Sequence, residues 1–183
     1  MKRISLQLAG LVICFTAAIQ APARGSNPAP EMDKLKVFLA HFTYEGESKT
    51  SPLGPGVKFS GEWDGQLILG GFFVQAAGIE HDPAGDTRFL EVWEYDPARR
   101  EYVSRGYQDD GSTYTEKFII KGTTIPVTGV LYTNGKRYLY RRTEIWSTDW
   151  SSATMKEEIF TYGKTWVPLY DARMTKAASG AKR

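Results

Sequence analysis

The chain has 183 residues, of which 13% are aromatic and 18 are glycine. This length suits one domain, and the composition favours a turn-rich β protein because aromatic side chains are enriched in strands. The formal charge of +2 includes Lys2 and Arg3, which lie in a segment that we expect to be removed; the rest of the chain holds 21 basic and 21 acidic residues. A near-neutral mature chain gives no indication of a nucleic-acid partner or of an anionic membrane surface as partner.

The N-terminus has the pattern of a secretory signal peptide. Two basic residues precede the apolar run Ile4–Ile19, and small residues follow at Ala21 and Ala23. We predict a signal peptide over residues 1–23, cleaved after Ala23 or Ala21, with a retained membrane anchor as the alternative. The protein would then be periplasmic or secreted, with no stable membrane insertion of the mature chain. The single cysteine, Cys14, would be lost with this segment, which excludes disulfides and thiolate sites.

Three segments flank or open the predicted domain. Residues 24–30 are polar with two prolines and are typical of a flexible leader. The stretch Pro30–His41 predicts a short helix, since Pro and two acids suit its first turn and its apolar residues recur at helical spacing. We expect this helix to plug or cap one end of a barrel. The domain is predicted to cover residues 31–176, and residues 177–183 are predicted to be a disordered tail.

Alternating segments at short spacing then predict about ten strands. They are joined by turn signals, among them Gly70-Gly71, Asp96-Pro97 and Asn134-Gly135. The predicted strands are Phe42–Ser48, Val57–Leu69, Phe72–Glu80, two in the hairpin Thr87–Ser112, Ser112–Lys121, Thr123–Tyr132, Arg137–Trp146, Thr154–Tyr162 and Thr165–Thr175. Such a meander predicts an all-β fold, an up-and-down antiparallel barrel of about 8–10 strands that removes its own edges. A sandwich or half-open clam is the alternative.

The hairpin Thr87–Ser112 gives a specific prediction of register. A five-residue loop over Asp96–Arg100 would place Glu91 opposite Arg105 and Trp93 opposite Val103, with favourable cross-strand pairs. Phe89 would then face Tyr107. A one-residue slip would place Glu91 opposite a glycine.

Aromatic and charged residues alternate on one face of this hairpin and again on Arg137–Trp146. Inside a closed barrel, such a face would line a pocket with aromatic walls and a few polar anchors. An arginine in it could bind a carboxylate or phosphate through paired hydrogen bonds. The alternative is that these residues form solvent-facing ladders. The candidate ligand-binding residues are Phe89, Glu91, Trp93, Arg105, Tyr107, Tyr140 and Arg142.

Several turn and packing motifs carry a resemblance to a known family. They are Trp-Asp-Gly and Leu-Gly-Gly-Phe-Phe within Trp63–Phe73, Tyr-Asp-Pro at Tyr95–Pro97, Tyr-Val-Ser at Tyr102–Ser104, and Tyr-Gly-Lys-Thr-Trp-Val-Pro at Tyr162–Pro168. Over most of residues 31–176 the chain resembles an uncharacterised bacterial family of exported, lipocalin-like (calycin-type) β-barrel domains. The resemblance implies the barrel fold and identifies no activity. Related haem-binding barrels use an axial histidine, and neither His41 nor His81 has a matching context.

The sequence leaves three functional hypotheses open. The first is a binding module for a small hydrophobic, aromatic or fatty ligand. The second is an enzyme that acts on a small organic substrate through Arg, Tyr and Glu side chains, although no nucleotide, hydrolase or metalloprotease motif occurs. The third is an envelope interaction protein without a ligand. We predict no cofactor and no metal site, and the oligomeric state stays open.

Overall fold

Ten antiparallel strands close into one barrel in the computed structural model of the chain. The structure describes residues 27–161 and 163–177. The predicted signal peptide (1–23) and residues 178–183 of the predicted tail lie outside the described residues. Neither of the two helical segments described is long and apolar enough to cross a membrane.

The strand bounds follow the predicted segments closely. The strands are β1 (His41–Ser48), β2 (Lys58–Ile68), β3 (Phe73–Asp82), β4 (Gly85–Asp96), β5 (Glu101–Gln108), β6 (Thr113–Phe118), β7 (Thr124–Thr133), β8 (Lys136–Trp146), β9 (Ser152–Phe160) and β10 (Trp166–Lys176). Short 3-10 helices span Pro30–Phe38 and Leu69–Gly71.

Each strand pairs with the next along the chain, and β1 pairs with β10 to close the sheet. This up-and-down order confirms the predicted barrel and rules out the sandwich and the half-open clam. Closure pairs every strand on both sides, so that the sheet has no free edge. Because side chains alternate along each strand, every strand sends one set of residues into the barrel and the other to solvent.

The N-terminal helix closes one end of the barrel, as predicted, but its period differs from the expected one. Its buried residues are Met32, Leu35 and Phe38, at a spacing of three. In a 3-10 helix, residues three apart lie above one another, so these three side chains form one row that enters the barrel. The helix ends at Phe38, and His41, which was expected in it, begins β1.

The predicted register of the β4–β5 hairpin is wrong by one residue. Glu91 lies opposite Gly106 and Trp93 opposite Ser104. The loop has four residues rather than five, because the Arg100 backbone adopts φ +56° and its N–H donates to the Asp96 carbonyl at 2.8 Å. A left-handed arginine leaves no sequence signal of the kind that glycine or asparagine provides, since such residues rarely adopt this conformation.

Glycines on the inner face stand opposite aromatic residues of the neighbouring strand. Cross-strand partners include Gly61 with Tyr44, Gly106 with Tyr114, and Gly129 with Tyr140. A Cβ added at these glycines would lie 2.4, 2.0 and 2.2 Å from the facing tyrosine ring, respectively. Each tyrosine ring therefore lies across a glycine of the barrel wall, which explains why glycine, although disfavoured in strands, occupies these positions.

Candidate functional site

The barrel contains a cavity of about 620 Å³. The helix Pro30–Phe38 closes one end, and the turns that follow β1, β3, β5 and β7 surround the other. Mouth residues include Ser51, Leu53, Asp82, Asp110 and Asn134. The volume lies within the range of small-molecule pockets, about 300–1,000 Å³.

The closed end of the cavity is an aromatic floor. Phe38 of the helix packs edge-to-face against Trp93 and Trp146, with ring centroids 5.2 Å apart in both cases. Trp63 stacks on Phe42 at 4.4 Å. Such pairs add about 0.5–1.5 kcal/mol each beyond the burial of their area, so the floor is well packed.

Above this floor lies a buried ionic network centred on Arg142 of β8. The guanidinium makes two hydrogen bonds to Glu116, at 2.7 and 3.1 Å, one to Glu144 at 2.9 Å and one to Glu157 at 3.2 Å. These contacts use four of its five N–H groups. The side chains of Arg142 and Glu116 are only 16% and 3% exposed, so solvent screens their interaction weakly.

Two neutral hydroxyl groups also donate hydrogen bonds to Glu116. The Tyr140 hydroxyl donates to it at 2.7 Å and the Ser104 hydroxyl at 3.2 Å. Burial, followed by the negative charge of Glu116, raises the pKa of Tyr140 far above its usual value. Tyr140 therefore stays protonated and acts as a hydrogen-bond donor.

Glu91 of β4 lies beside this network, and no cationic side chain of the described residues forms an ion pair with it. Its carboxylate accepts a hydrogen bond from the Tyr114 hydroxyl at 3.1 Å. Burial, together with the charge of Glu116, raises the pKa of Glu91 to about 7 against the partial opposition of Ser104 and Arg142. Burial likewise raises the pKa of Glu157 to about 7, although Arg142 opposes the shift. Two buried carboxyls of the cavity therefore change charge near neutral pH.

A third tyrosine–glutamate pair lies nearer the mouth. The Tyr44 hydroxyl donates to Glu80 at 3.2 Å, and burial raises the pKa of Glu80 above its usual value. The same arrangement thus occurs for Tyr44, Tyr114 and Tyr140: each ring lies on a glycine and each hydroxyl points to a glutamate.

The structure brings five of the seven sequence-predicted site residues to the cavity. Phe89, Glu91, Trp93, Tyr140 and Arg142 all line it. The other two project to the outside: the side chain of Arg105 is 52% exposed and pairs with Glu94 at 2.6 Å, and Tyr107 is 50% exposed. Their placement follows from the shifted hairpin, because a slip of one residue moves a whole strand face from inside to outside.

Sequence reasoning missed the residues that surround Arg142. Glu116 and Tyr114 lie in the short strand TYTEKF, whose inward residues place a charged side chain between two aromatic ones and so give no continuous apolar stripe. Glu157 and Glu158 are neighbours on β9 and point to opposite faces, with Glu157 inside. The signal that could have found Glu116 is the alternation Tyr114–Glu116–Phe118, which repeats the aromatic–acid–aromatic order of Phe89–Glu91–Trp93.

The histidines lie outside the cavity. His41 contacts Asp64 at 3.1 Å and His81 contacts Asp86 at 2.7 Å. Within residues 27–161 and 163–177, no group of three or more His, Asp and Glu side chains is arranged to hold a metal ion.

Comparison with known proteins identifies the fold. No protein-family model matches the chain, and no curated protein matches it. Among solved structures, the crystal structure of Rv2717c from M. tuberculosis matches with a TM-score of 0.63 at 14% identity, covering 83% of this chain and 100% of that one. Identity this low supports a shared barrel fold and nothing about a shared activity.

Proposed function

We propose that this protein is an exported small-molecule-binding barrel that holds its ligand in the central cavity. The observation that carries the proposal is the cavity itself, about 620 Å³, closed at one end and open at the other. A barrel whose own side chains filled the interior would have favoured an interaction protein without a ligand. The resemblance to exported lipocalin-like domains points in the same direction.

The lining has the composition of a ligand site. Aromatic side chains such as Phe89, Trp93 and Tyr170 supply apolar surface, and a few fixed polar groups stand among them. Ligand pockets combine apolar walls with a small number of placed polar groups, because the walls supply affinity and the polar groups supply orientation. The buried network of Arg142 holds those polar groups in place.

Native mass spectrometry of the purified mature chain, followed by solvent extraction, tests the proposal. We expect a bound small molecule, or binding from a panel of neutral, anionic and cationic aromatic compounds that changes the fluorescence of the tryptophans in the cavity floor. Leu131→Trp on the inner face near the mouth should reduce this binding. The matched variant Leu90→Trp lies on the outer face and should leave it unchanged. Equal binding by both variants would contradict a site in the barrel.

Export is a separate part of the proposal. The residues that carry it, 1–23, are a predicted signal peptide. Fractionation of cells that express the full chain should recover a shortened protein from the periplasm or medium, with Arg24 or Pro22 as the first residue. Recovery of the uncleaved chain from the cytoplasm would refute export and leave the binding proposal intact.

A second candidate function is proton-transfer catalysis, and one observation favours it. The pKa of Glu91 is raised to about 7, which suits a general acid or base at neutral pH. Its partner Tyr114 is fixed against it at 3.1 Å. If the barrel is an enzyme, Glu91→Gln and Tyr140→Phe should abolish turnover and retain the fold; full turnover by both variants would refute this candidate.

A further inference from the structure

We propose that the ligand of this cavity is an organic cation, with an ammonium group on an aromatic or apolar body. The inference rests on the proposed function, since it specifies the ligand of that same cavity. The observation behind it is the imbalance of charge in the wall. Seven acidic residues of the described chain line the cavity, against two basic ones, Arg142 inside and Lys49 at the mouth.

Among the residues that the structure describes, Arg142 is the one cation deep in the cavity, and protein carboxylates already bind it. Arg142 contacts Glu116, Glu144 and Glu157, three carboxylates for one guanidinium. A ligand carboxylate or phosphate would have to displace one of these groups and would meet the remaining negative charge. These contacts favour a structural role for Arg142, in which it holds the carboxylates in place, over the expected binding of an acidic ligand.

Glu91 supplies the contact that a cation needs. It receives a hydrogen bond from a neutral donor, Tyr114, and no cationic side chain of the described residues forms an ion pair with it. It lies between Phe89 and Trp93 on the inward face of β4, and all three line the cavity. An ammonium group attracts both a carboxylate and the faces of aromatic rings, and the combination is a known basis for binding quaternary ammonium compounds.

Beyond Tyr114, the groups that favour the anionic form of Glu91 are the neutral side chains of Ser104 and Trp93 and the charge of Arg142, which forms no ion pair with it. A buried carboxylate that has neutral donors and no ion pair among the described residues is poorly compensated. A bound cation would supply the positive charge that Glu91 lacks. A positively charged ligand would therefore gain most binding energy beside this carboxylate.

Three matched aromatic probes separate charge from shape. They are phenyltrimethylammonium, its neutral isostere tert-butylbenzene, and the anion 4-tert-butylbenzoate, each titrated calorimetrically against the mature chain at pH 8 and low salt. We expect the cation to bind at least about tenfold more tightly than the neutral probe, and the anion to bind most weakly. The quaternary ammonium carries no titratable proton, so its own charge is constant.

Two variants locate the effect. Glu91→Gln should weaken binding of the cation about tenfold and leave the neutral probe unchanged. Glu94→Gln, on the same strand but outside the barrel in an ion pair with Arg105, should change neither. The inference is overturned if the neutral or anionic probe binds as tightly as the cation, or if both variants weaken the cation equally; the binding function would still stand. If no probe binds and no ligand is found in the purified protein, the proposed function itself fails.

Discussion

Glu91→Gln should make the protein more stable at alkaline pH and leave its stability nearly unchanged at acidic pH. The reason is that Glu91 is buried and ionises late: its pKa rises from the usual 4.5 to about 7. Between pH 4.5 and pH 7, Glu91 holds a proton in the folded protein that it has released in the unfolded chain, so the free energy of unfolding falls as the pH rises through this range. The contribution of Glu91 to stability is therefore greatest below about pH 4.5. That advantage is lost as the pH rises through 7.

The size of the effect follows from the shift. Each pKa unit corresponds to about 1.4 kcal/mol, so Glu91 destabilises the fold by about 3 kcal/mol at pH 8.5 relative to pH 4.5. The groups that face it are Tyr114 and Glu116 of β6, Ser104 of β5 and Arg142 of β8. Glutamine keeps the shape of the side chain and its acceptor for Tyr114, but it does not titrate.

Urea denaturation at pH 4.5, 7 and 8.5, followed by tryptophan fluorescence, measures the difference. The gap between variant and wild type should be small at pH 4.5 and grow to about 3 kcal/mol in favour of the variant at pH 8.5. Glu94→Gln on the outer face serves as the matched control and should show no such trend. Parallel pH curves for wild type and Glu91→Gln would refute the claim that Glu91 is buried with a raised pKa.

Three further substitutions test the network, the wall and the plug. Arg142→Met leaves three buried carboxylates without their cation and should lower the free energy of unfolding by about 3–5 kcal/mol, measured by urea denaturation. Arg105→Met, which removes an exposed ion pair, should lower it by at most about 1 kcal/mol. Gly106→Ala places a Cβ 2.0 Å from a tyrosine ring and should lower stability by about 1–3 kcal/mol. Gly163→Ala, whose Cβ would have its nearest neighbour at an ordinary contact distance of 3.7 Å, should have little effect, and equal costs would contradict the packing described. Phe38→Ala removes a side chain 3% exposed and should cost about 3–5 kcal/mol in thermal denaturation; an unchanged melting temperature would show that the helix is not a packed plug.

The barrel could be predicted from sequence because its signals are local and repeated. Alternation of period two, turn residues at short spacing and the absence of long connections all favour a meander of about ten strands. The final pairing of β1 with β10 is not encoded in any one segment. It follows from the need to pair both edge strands once the number and length of strands are set.

The site was predicted only in part because it depends on register. Phe89, Glu91 and Trp93 are inside whatever the register of β5, but the face of β5 depends on whether the loop before it has four or five residues. That choice is made by the left-handed backbone of Arg100, a residue that seldom adopts this conformation. Favourable cross-strand pairs misled the prediction, since the pairing of Glu91 with Gly106 gains its stability from Tyr114 on a third strand.

The glycine–tyrosine pairs also determine how the cavity can change. Gly61, Gly106 and Gly129 have no side chain on the inner face of the barrel, and the facing tyrosine ring lies in the space that a side chain would fill. The ring therefore does not extend into the cavity. Any larger residue at one of these points would push a ring inward and reduce the usable volume near one particular glutamate. Substitution at each of these three glycines, which lie on three different strands, would change the shape of the cavity at a different place. The same barrel could thereby be adapted to ligands of different shape without a change in strand order.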